Sequence, residues 1–318
     1  MSAMPIYSLG NGVSMPCIGL GTMQCSDQEV RAAVVDALRV GYRHIDTAWM
    51  YANEKGVGQG IQDWIGKGGD RKDLCVVTKL PMNANRAQDV ERLLEKQLAN
   101  LGLDSVDLYL IHAPHGMVNT GNDLELFTKD KDGFLNYDFE TDIIALWAEM
   151  EKMVEQGKAK TIGLSNFTEN QLERILKTCK IRPAINQVEV HAYFSNKSLI
   201  DYCKSKGIPV CAYAPLGSPT RGFGKIDNIL ENPVIIELSK TYKKTPGQML
   251  LRHLLQRGLV IIPKSGNPVR IKENFNILDF EIKSEDFARI EKIDKNQRFF
   301  DGPIPGFPIK KQHPEFPF

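Results

Sequence analysis

Residues 74–80 read LCVVTKL, and the interpretation of this run decides the fold. Four of the five residues before Lys79 are apolar, and Val76 and Val77 are β-branched. A run this short suits a strand buried on both faces, as strands of parallel sheets are. An ammonium at the end of such a strand is costly unless something pairs with it or uses it. Lys79 therefore predicts an interior site at a strand end.

Working outward, seven more runs share this character: PCIGLG (16–21), YRHIDTA (42–48), VDLYLIHA (106–113), AKTIGLSN (159–166), INQVEV (185–190), PVCAYAPL (209–216) and GLVIIPKS (258–265). Helical patterns lie between them. Ser26 and Glu29 have capping-box spacing. Val30, Ala33, Val34, Ala37 and Leu38 then mark one buried helical face, and Gly41 supplies the stop. Residues 86–101 repeat the theme with Val90, Leu93, Leu94, Leu98 and Leu101, ending at Gly102. Thr168 with Gln171 begins another helix in the same way.

Eight strand–helix alternations over about 250 residues predict a (β/α)8 TIM barrel. The competing architecture is a doubly wound open sheet that binds a dinucleotide through G-x-G-x-x-G. Here the first strand turn reads GLGTMQ and lacks the third glycine. Gly56, Gly58 and Gly60 lie within a helical pattern and are read as close helix packing. The barrel is preferred, as a single domain over residues 1–318. Residues 6–16, with their Asn11-Gly12 turn, read as a hairpin plugging the barrel bottom. Residues 113–140, 217–230 and the Pro- and Phe-rich tail 298–318 read as loops at the active end.

In a barrel the chemistry gathers where strands finish at the C-terminal face. Those ends carry Thr22, Asp46, Lys79, His112, Ser165 with Asn166, Gln187, Tyr213, and Lys264 with Ser265. Asp46 and Lys79 end adjacent strands, so the carboxylate can pair with the ammonium. Tyr51 lies five residues past Asp46. A nearby cation stabilises a phenolate and brings tyrosine, ordinarily near about 10, closer to a working proton donor. His112 can donate to the same oxygen. Together these residues form a proton-donating site for a developing alkoxide. His112 and His115 have H-x-x-H spacing without a third ligand nearby, so no metal is expected.

The chain has 318 residues, 42% hydrophobic and 25% charged, with a formal net charge of +1. That balance argues against nucleic acid or an anionic membrane as partner. No run approaches the roughly 18 apolar residues of a membrane span, and MSAMPIYSLGNG lacks the basic and apolar regions of a secretory signal. The six cysteines, Cys17, Cys25, Cys75, Cys179, Cys203 and Cys211, form no CxxC pair. They read as reduced thiols of a cytoplasmic protein.

GYRHIDTAWMYANE (41–54), VTKLP (77–81), VDLYLIHAP (106–114), IGLSNF (162–167), NQVEVH (186–191), AYAPLGSP (212–219) and IPKSGNPVRIKENF (262–275) resemble, in order, the signatures of the aldo-keto reductase family. The resemblance covers nearly the whole chain. It implies a monomeric barrel that reduces aldehydes or ketones with NADPH, without a metal. It puts the catalytic tetrad on Asp46, Tyr51, Lys79 and His112, with Tyr51 as general acid. It stacks the nicotinamide on Tyr213 and bonds its carboxamide to Ser165, Asn166 and Gln187, with Thr22 and Asp46 alongside. It lays the pyrophosphate along Leu216 and Ser218, holds the 2′-phosphate with Lys264, Ser265 and Arg270, and sets Glu273 and Asn274 on the adenine. Two cations and a hydroxyl near a helix start also suit a dianionic phosphate on physical grounds.

At the substrate pocket the sequence departs from the family pattern. Tryptophans common after GLGT, KL and LIH are replaced by Met23, Pro81 and Ala113. Met23, Trp49, Met50, Tyr51 and His112 are the expected substrate contacts. Less fixed aromatic surface implies a wider, adaptable pocket, open to bulky ketones such as a 3-oxo-steroid or 3-dehydroecdysteroid. Two other readings stand beside this one. The first is a non-catalytic NADPH-binding regulatory or structural protein on the same barrel. The second is an aldolase-type barrel using Lys79 in a Schiff base, which requires a neutral amine.

Overall fold

All eight anticipated runs pair in one parallel sheet in the computed structural model, which describes residues 3–219, 227–300, 304 and 306–318. The strands are β1 (Leu20–Gly21), β2 (His44–Asp46), β3 (Cys75–Leu80), β4 (Val106–Ile111), β5 (Ala159–Ser165), β6 (Asn186–Glu189), β7 (Val210–Tyr213) and β8 (Val260–Ile261). Each strand pairs with its predecessor in sequence. The first and last edges also meet, through parallel bridges Ile18–Ile261 and Gly21–Lys264, and Ile261 N donates to Cys17 O at 2.8 Å. The sheet is thus a closed barrel, the (β/α)8 architecture.

The first helices are α1 (Asp27–Val40), α2 (Glu54–Ile65), α3 (Val90–Leu101), α4 (Ile143–Glu155), α5 (Glu169–Leu176) and α6 (Lys197–Ser205). Both α7 (Pro233–Tyr242) and α8 (Pro246–Gln256) precede β8, and α9 (Pro268–Phe275) and α10 (Ser284–Glu291) follow it. The capping boxes at Ser26 and Thr168 both form, and the buried face of α1 is Val30, Ala33, Val34, Ala37 and Leu38, as its periodicity predicts. Gly102 ends α3 in the left-handed conformation, φ 63°.

The glycines of GVGQG settle the alternative reading. A methyl on Gly56 would lie 2.3 Å from Asp27 O, and one on Gly58 2.3 Å from Leu101 O. These glycines let α2 approach the start of α1 and the end of α3. They are packing residues rather than a phosphate cradle.

Antiparallel strands Ile6–Ser8 and Ser14–Pro16 form the hairpin, turning through Asn11 and Gly12 at positive φ. Asn11 Nδ2 donates to Lys160 O at 2.9 Å, and Tyr7 Oη donates to Gly258 O at 2.6 Å. Both acceptors lie at strand beginnings, so the hairpin covers the end of the barrel opposite the strand exits. At the other end, segment 113–140 holds a small antiparallel pair, Gly116–Met117 with Tyr137–Asp138. The parts of the 217–230 and 298–318 segments at 220–226, 301–303 and 305 lie outside the described residues.

The tight approach at Gly58 predicts that Gly58→Ala lowers stability by about 1–3 kcal/mol through overpacking. In contrast, a methyl on Gly247 meets nothing closer than 3.9 Å. Gly247→Ala should be neutral or stabilising by up to about 1 kcal/mol. Urea midpoints of the two variants check the contrast.

Candidate active site

Asp46 pairs in register with Val77 across β2 and β3. Lys79 is two residues further along β3, so it shares their inward face. Its side chain is fully buried, the ammonium lies 2.5 Å from Asp46 Oδ1, and it also donates to Thr47 O at 2.8 Å. Asp46 keeps its other oxygen for Gln187 Nε2, at 2.7 Å.

The β2 strand ends at Asp46, and after Thr47 and Ala48 the chain makes a single tight turn, Trp49–Tyr51, before Ala52 at φ 53° leads into α2. This turn brings the Tyr51 hydroxyl to 3.3 Å from Lys79 Nζ. His112 follows β4 and meets the Tyr51 ring edge-to-face, centroids 5.8 Å apart. The structure therefore brings Asp46, Tyr51, Lys79 and His112 together on three successive strand ends.

The electrostatics follow from burial. Desolvation acts on Lys79 more strongly than any one neighbour, but Asp46 and Tyr51 together hold its pKa above the ordinary lysine value, so it stays charged. For Tyr51, burial again leads and raises the pKa, with Asp46 adding to it, while Lys79 acts in the opposite direction. The sequence argument foresaw the pull of the cation. It did not foresee that loss of water around the phenol outweighs it in the resting protein. Burial first, then Lys79 and His115, holds His112 well below the ordinary histidine value. It is a neutral imidazole with one N–H to donate.

Around this centre lie the other anticipated positions. Ser165 Oγ donates to Gln187 O at 2.9 Å. Asn166, at φ 62°, donates to His112 O and accepts from Tyr213 Oη, both at 2.9 Å. Thr22 Oγ1 donates to Asp46 O at 3.0 Å. Gln187 and Asn166 thus connect the tetrad to the half-buried ring of Tyr213. Leu216 and Ser218 lie on the loop after β7, where Ser218 adopts φ 48°.

Across the β1–β8 seam, Lys264 Nζ donates to Gln24 O at 3.0 Å. The Arg270 guanidinium is exposed, and neither cation forms an ion pair with a described carboxylate. Ser265 is buried beside them. Asn267 Oδ1 already accepts from the amides of Val269 and Arg270 at the start of α9. The anion-binding capacity of this corner therefore rests on the two cations and the Ser265 hydroxyl. Along α9, Asn274 is buried and Glu273 half-buried.

Met23 follows β1 and is half-buried. Met50 joins an apolar cluster with Met82, Ala113, Met117, Phe127 and Phe307. Trp49 is 8% exposed, and its indole N–H donates to Asp123 O at 2.9 Å. It lines a cavity of about 560 Å³ with Asn53, Lys55, Lys96 and Asp123, and none of Tyr51, His112 and Met50 borders that space.

Several supporting residues escaped the sequence reading. Asn53 Nδ2 ties the carbonyls of Thr22 and Cys25 at 2.8 and 2.9 Å. Asp123 binds Arg92 and Lys96 and fixes loop 113–140 against α3. Their signal was a polar residue in a helix start or loop, which sequence periodicity does not separate from a solvated one.

The Aldo/keto reductase family model matches residues 17–295. Aldo-keto reductase family 1 member A1 of Gallus gallus is 42% identical over 98% of this chain and 96% of its own length. The Homo sapiens protein of the same name is 39% identical over 98% of this chain and 97% of its own. Among solved structures, the aldose reductase from Schistosoma japonicum superposes with TM-score 0.86 at 39% identity, covering 98% of this chain and 100% of that one.

Burial of the Lys79–Asp46 pair and of the neutral His115 imidazole has measurable consequences. Lys79→Met strands a buried carboxylate and should cost about 3–5 kcal/mol, whereas Lys79→Met with Asp46→Leu should recover most of that loss. Urea denaturation of the single and double variants checks this. For His115, burial first and His313 second push the pKa down to about 3. The unfolded chain binds that proton near about 6.5. Stability is therefore fully present above that pH and falls as pH drops toward 3, by up to about 1.4 kcal/mol per pH unit for this group. His115→Phe should make the pH dependence of the urea midpoint shallower.

Proposed function

The chain belongs to the aldo/keto reductase family, an oxidoreductase family acting on carbonyls, and from that premise we propose that it reduces aldehydes and ketones to alcohols with NADPH. The observation carrying this is the buried, ion-paired Lys79 within 3.3 Å of the Tyr51 hydroxyl. NADPH, when bound, supplies the hydride. Tyr51 holds the proton at its hydroxyl and delivers it to the carbonyl oxygen. Its raised pKa keeps that proton in place in the resting site. The Lys79 charge then stabilises the phenolate left behind. Neutral His112 donates its N–H to the same oxygen and orients the substrate.

The donor set suits this cofactor. Lys264 and Arg270, unpaired with described carboxylates, and the Ser265 hydroxyl make a dianion site for a 2′-phosphate. Ser165, Asn166 and Gln187 offer an amide-rich surface for the carboxamide beside Thr22 and Asp46, with Tyr213 as stacking ring. Leu216 and Ser218 would flank the pyrophosphate, and Glu273 and Asn274 the adenine. Met23 and Met50 border the substrate with Tyr51 and His112, and the cluster of Met82, Ala113 and Met117 on which Met50 packs is apolar and deformable. That supports a broad range of carbonyls, with a 3-oxo-steroid or 3-dehydroecdysteroid among them. Trp49 contributes through the loop that it anchors. The six unpaired cysteines suit a cytoplasmic enzyme, which we take to be monomeric. The ion pair on Lys79 opposes the Schiff-base reading, which needs a neutral amine.

NADPH oxidation followed by absorbance with a panel of aldehydes and ketones tests the reading. Tyr51→Phe should lower turnover by about 10²–10⁴-fold and leave NADPH affinity unchanged. Full turnover in that variant would remove Tyr51 from the role. Wild type should prefer NADPH to NADH, with Arg270→Ala narrowing the gap, and comparable kcat/KM for the two cofactors would overturn the 2′-phosphate assignment. Inert bulky ketones beside active small aldehydes would rule out the wide pocket.

A further inference from the structure

Successive strand residues point to opposite faces, so Thr78 faces the helices while Lys79 faces the barrel interior. Behind the strand, the Thr78 hydroxyl donates to Glu54 Oε1 at 2.6 Å. From α3, Gln97 Nε2 lies 3.0 Å from the same Glu54 oxygen, 2.7 Å from Thr78 Oγ1 and 3.0 Å from the Lys79 carbonyl. Asn100 Nδ2 is 3.5 Å from Glu54 Oε2. Glu54, Thr78 and Gln97 are all buried.

Glu54 is also the first residue of α2, three positions after Tyr51. At the other end of the same segment, Thr47 N donates to Val77 O at 2.9 Å, and Thr47 O accepts from Lys79 Nζ. The segment 47–54 therefore grips β3 from both faces, with Tyr51 between its two anchor points. We propose that Glu54 is a positioning residue for the reaction, locking the Tyr51 turn to the Lys79 strand and so fixing the spacing between phenol and ammonium. This rests on the roles given above to Tyr51 and Lys79. Packing alone is a weak reason for a carboxyl here, since burying a polar group costs free energy unless hydrogen bonds satisfy it.

The groups facing the Tyr51 hydroxyl are Lys79 from β3, Asp46 from β2, His112 after β4 and Cys211 from β7. Those facing Glu54 are Thr78, Gln97, Asn100 and, through space, Lys79 and Tyr109. Of these, Lys79 and the tyrosine hydroxyl are the pair whose separation Glu54 controls.

The test uses the full chain with NADPH and compares Glu54→Gln, Thr78→Val and the double variant. Loosening the turn should lower kcat by about 10- to 100-fold in Glu54→Gln, with a smaller drop in Thr78→Val. KM and NADPH affinity should stay unchanged, and the double variant should be no worse than Glu54→Gln alone. In alcohol oxidation Tyr51 must first lose its proton, so the rising limb of the kcat–pH profile should move to higher pH as the lysine's influence weakens. Thr78→Val replaces a single hydroxyl with a methyl group and carries the test if Glu54→Gln does not fold. Variants that bind NADPH normally and keep the wild-type kcat and oxidation limb would overturn the proposal, whatever their melting temperature. Equal losses in every kinetic parameter with an unmoved limb would overturn it too. A wild-type protein with no carbonyl turnover would instead defeat the functional reading on which the proposal stands.

Discussion

A lysine that no water touches is the constraint on which the active end of this barrel depends. Its ammonium is tolerable in the interior only because Asp46 lies on the same inward face of the neighbouring strand, in register to meet it. Removing charges from water costs several kcal/mol per ion, and a single contact does not make that good. The surroundings show the remainder: a carbonyl from Thr47 on the lysine and an amide from Gln187 on the aspartate. Each partner comes from a different strand end. The pair and its partners thus tie the ends of β2, β3 and β6 together. The pair also leaves one direction open on the ammonium, and Tyr51 occupies it.

Closure of the barrel makes this arrangement possible. The bridges at Ile18–Ile261 and Gly21–Lys264 bring the last strand beside the first. Residues distant in sequence, such as Gln187 and Asp46, thus share one interior. The hairpin covers the end where strands begin, and polar side chains collect where strands finish. The glycines of α2 serve the same geometry from outside. By letting α2 lie against Asp27 and Leu101, they set the height at which its first residue, Glu54, meets β3.

Much of this was legible because burial leaves a mark on sequence. An apolar run that ends on Lys79 or Asp46 announces a charge inside, and eight such endings announce a rim. Capping pairs and helical periodicity fixed the α1 face residue by residue, since each depends on local spacing alone. What was not legible depends on tertiary surroundings. The net direction at Tyr51 reflects how much water the fold removes, and no spacing encodes that quantity. Glu54 looks like an ordinary acidic residue in a first helical turn until Thr78 and Gln97 close over it. The indole of Trp49 is held by the Asp123 carbonyl, a loop contact with no periodic signature. At α9, the side chain of Asn267 takes helix-start amides that the residue pattern alone would leave for a phosphate.

The chain, nearly neutral overall, uses its cations in two opposite ways, and the contrast explains why both sets are needed. Lys79 is enclosed and paired, so its field acts over a few ångströms of poorly polarisable surroundings and reaches both the Tyr51 hydroxyl and the His112 imidazole. Paired to a described carboxylate, it is unsuited to binding a further anion. Lys264 and Arg270 are exposed and lack carboxylate partners among the described residues, so their fields are screened by water. Their exposure leaves them accessible to the phosphate of the proposed cofactor. Exchanging the two environments would defeat both. An unpaired lysine inside the barrel would lose its proton, and a carboxylate beside Arg270 would compete with the dianion. Burial, rather than the identity of the charged group, separates the role proposed for Lys79 from that proposed for Lys264 and Arg270.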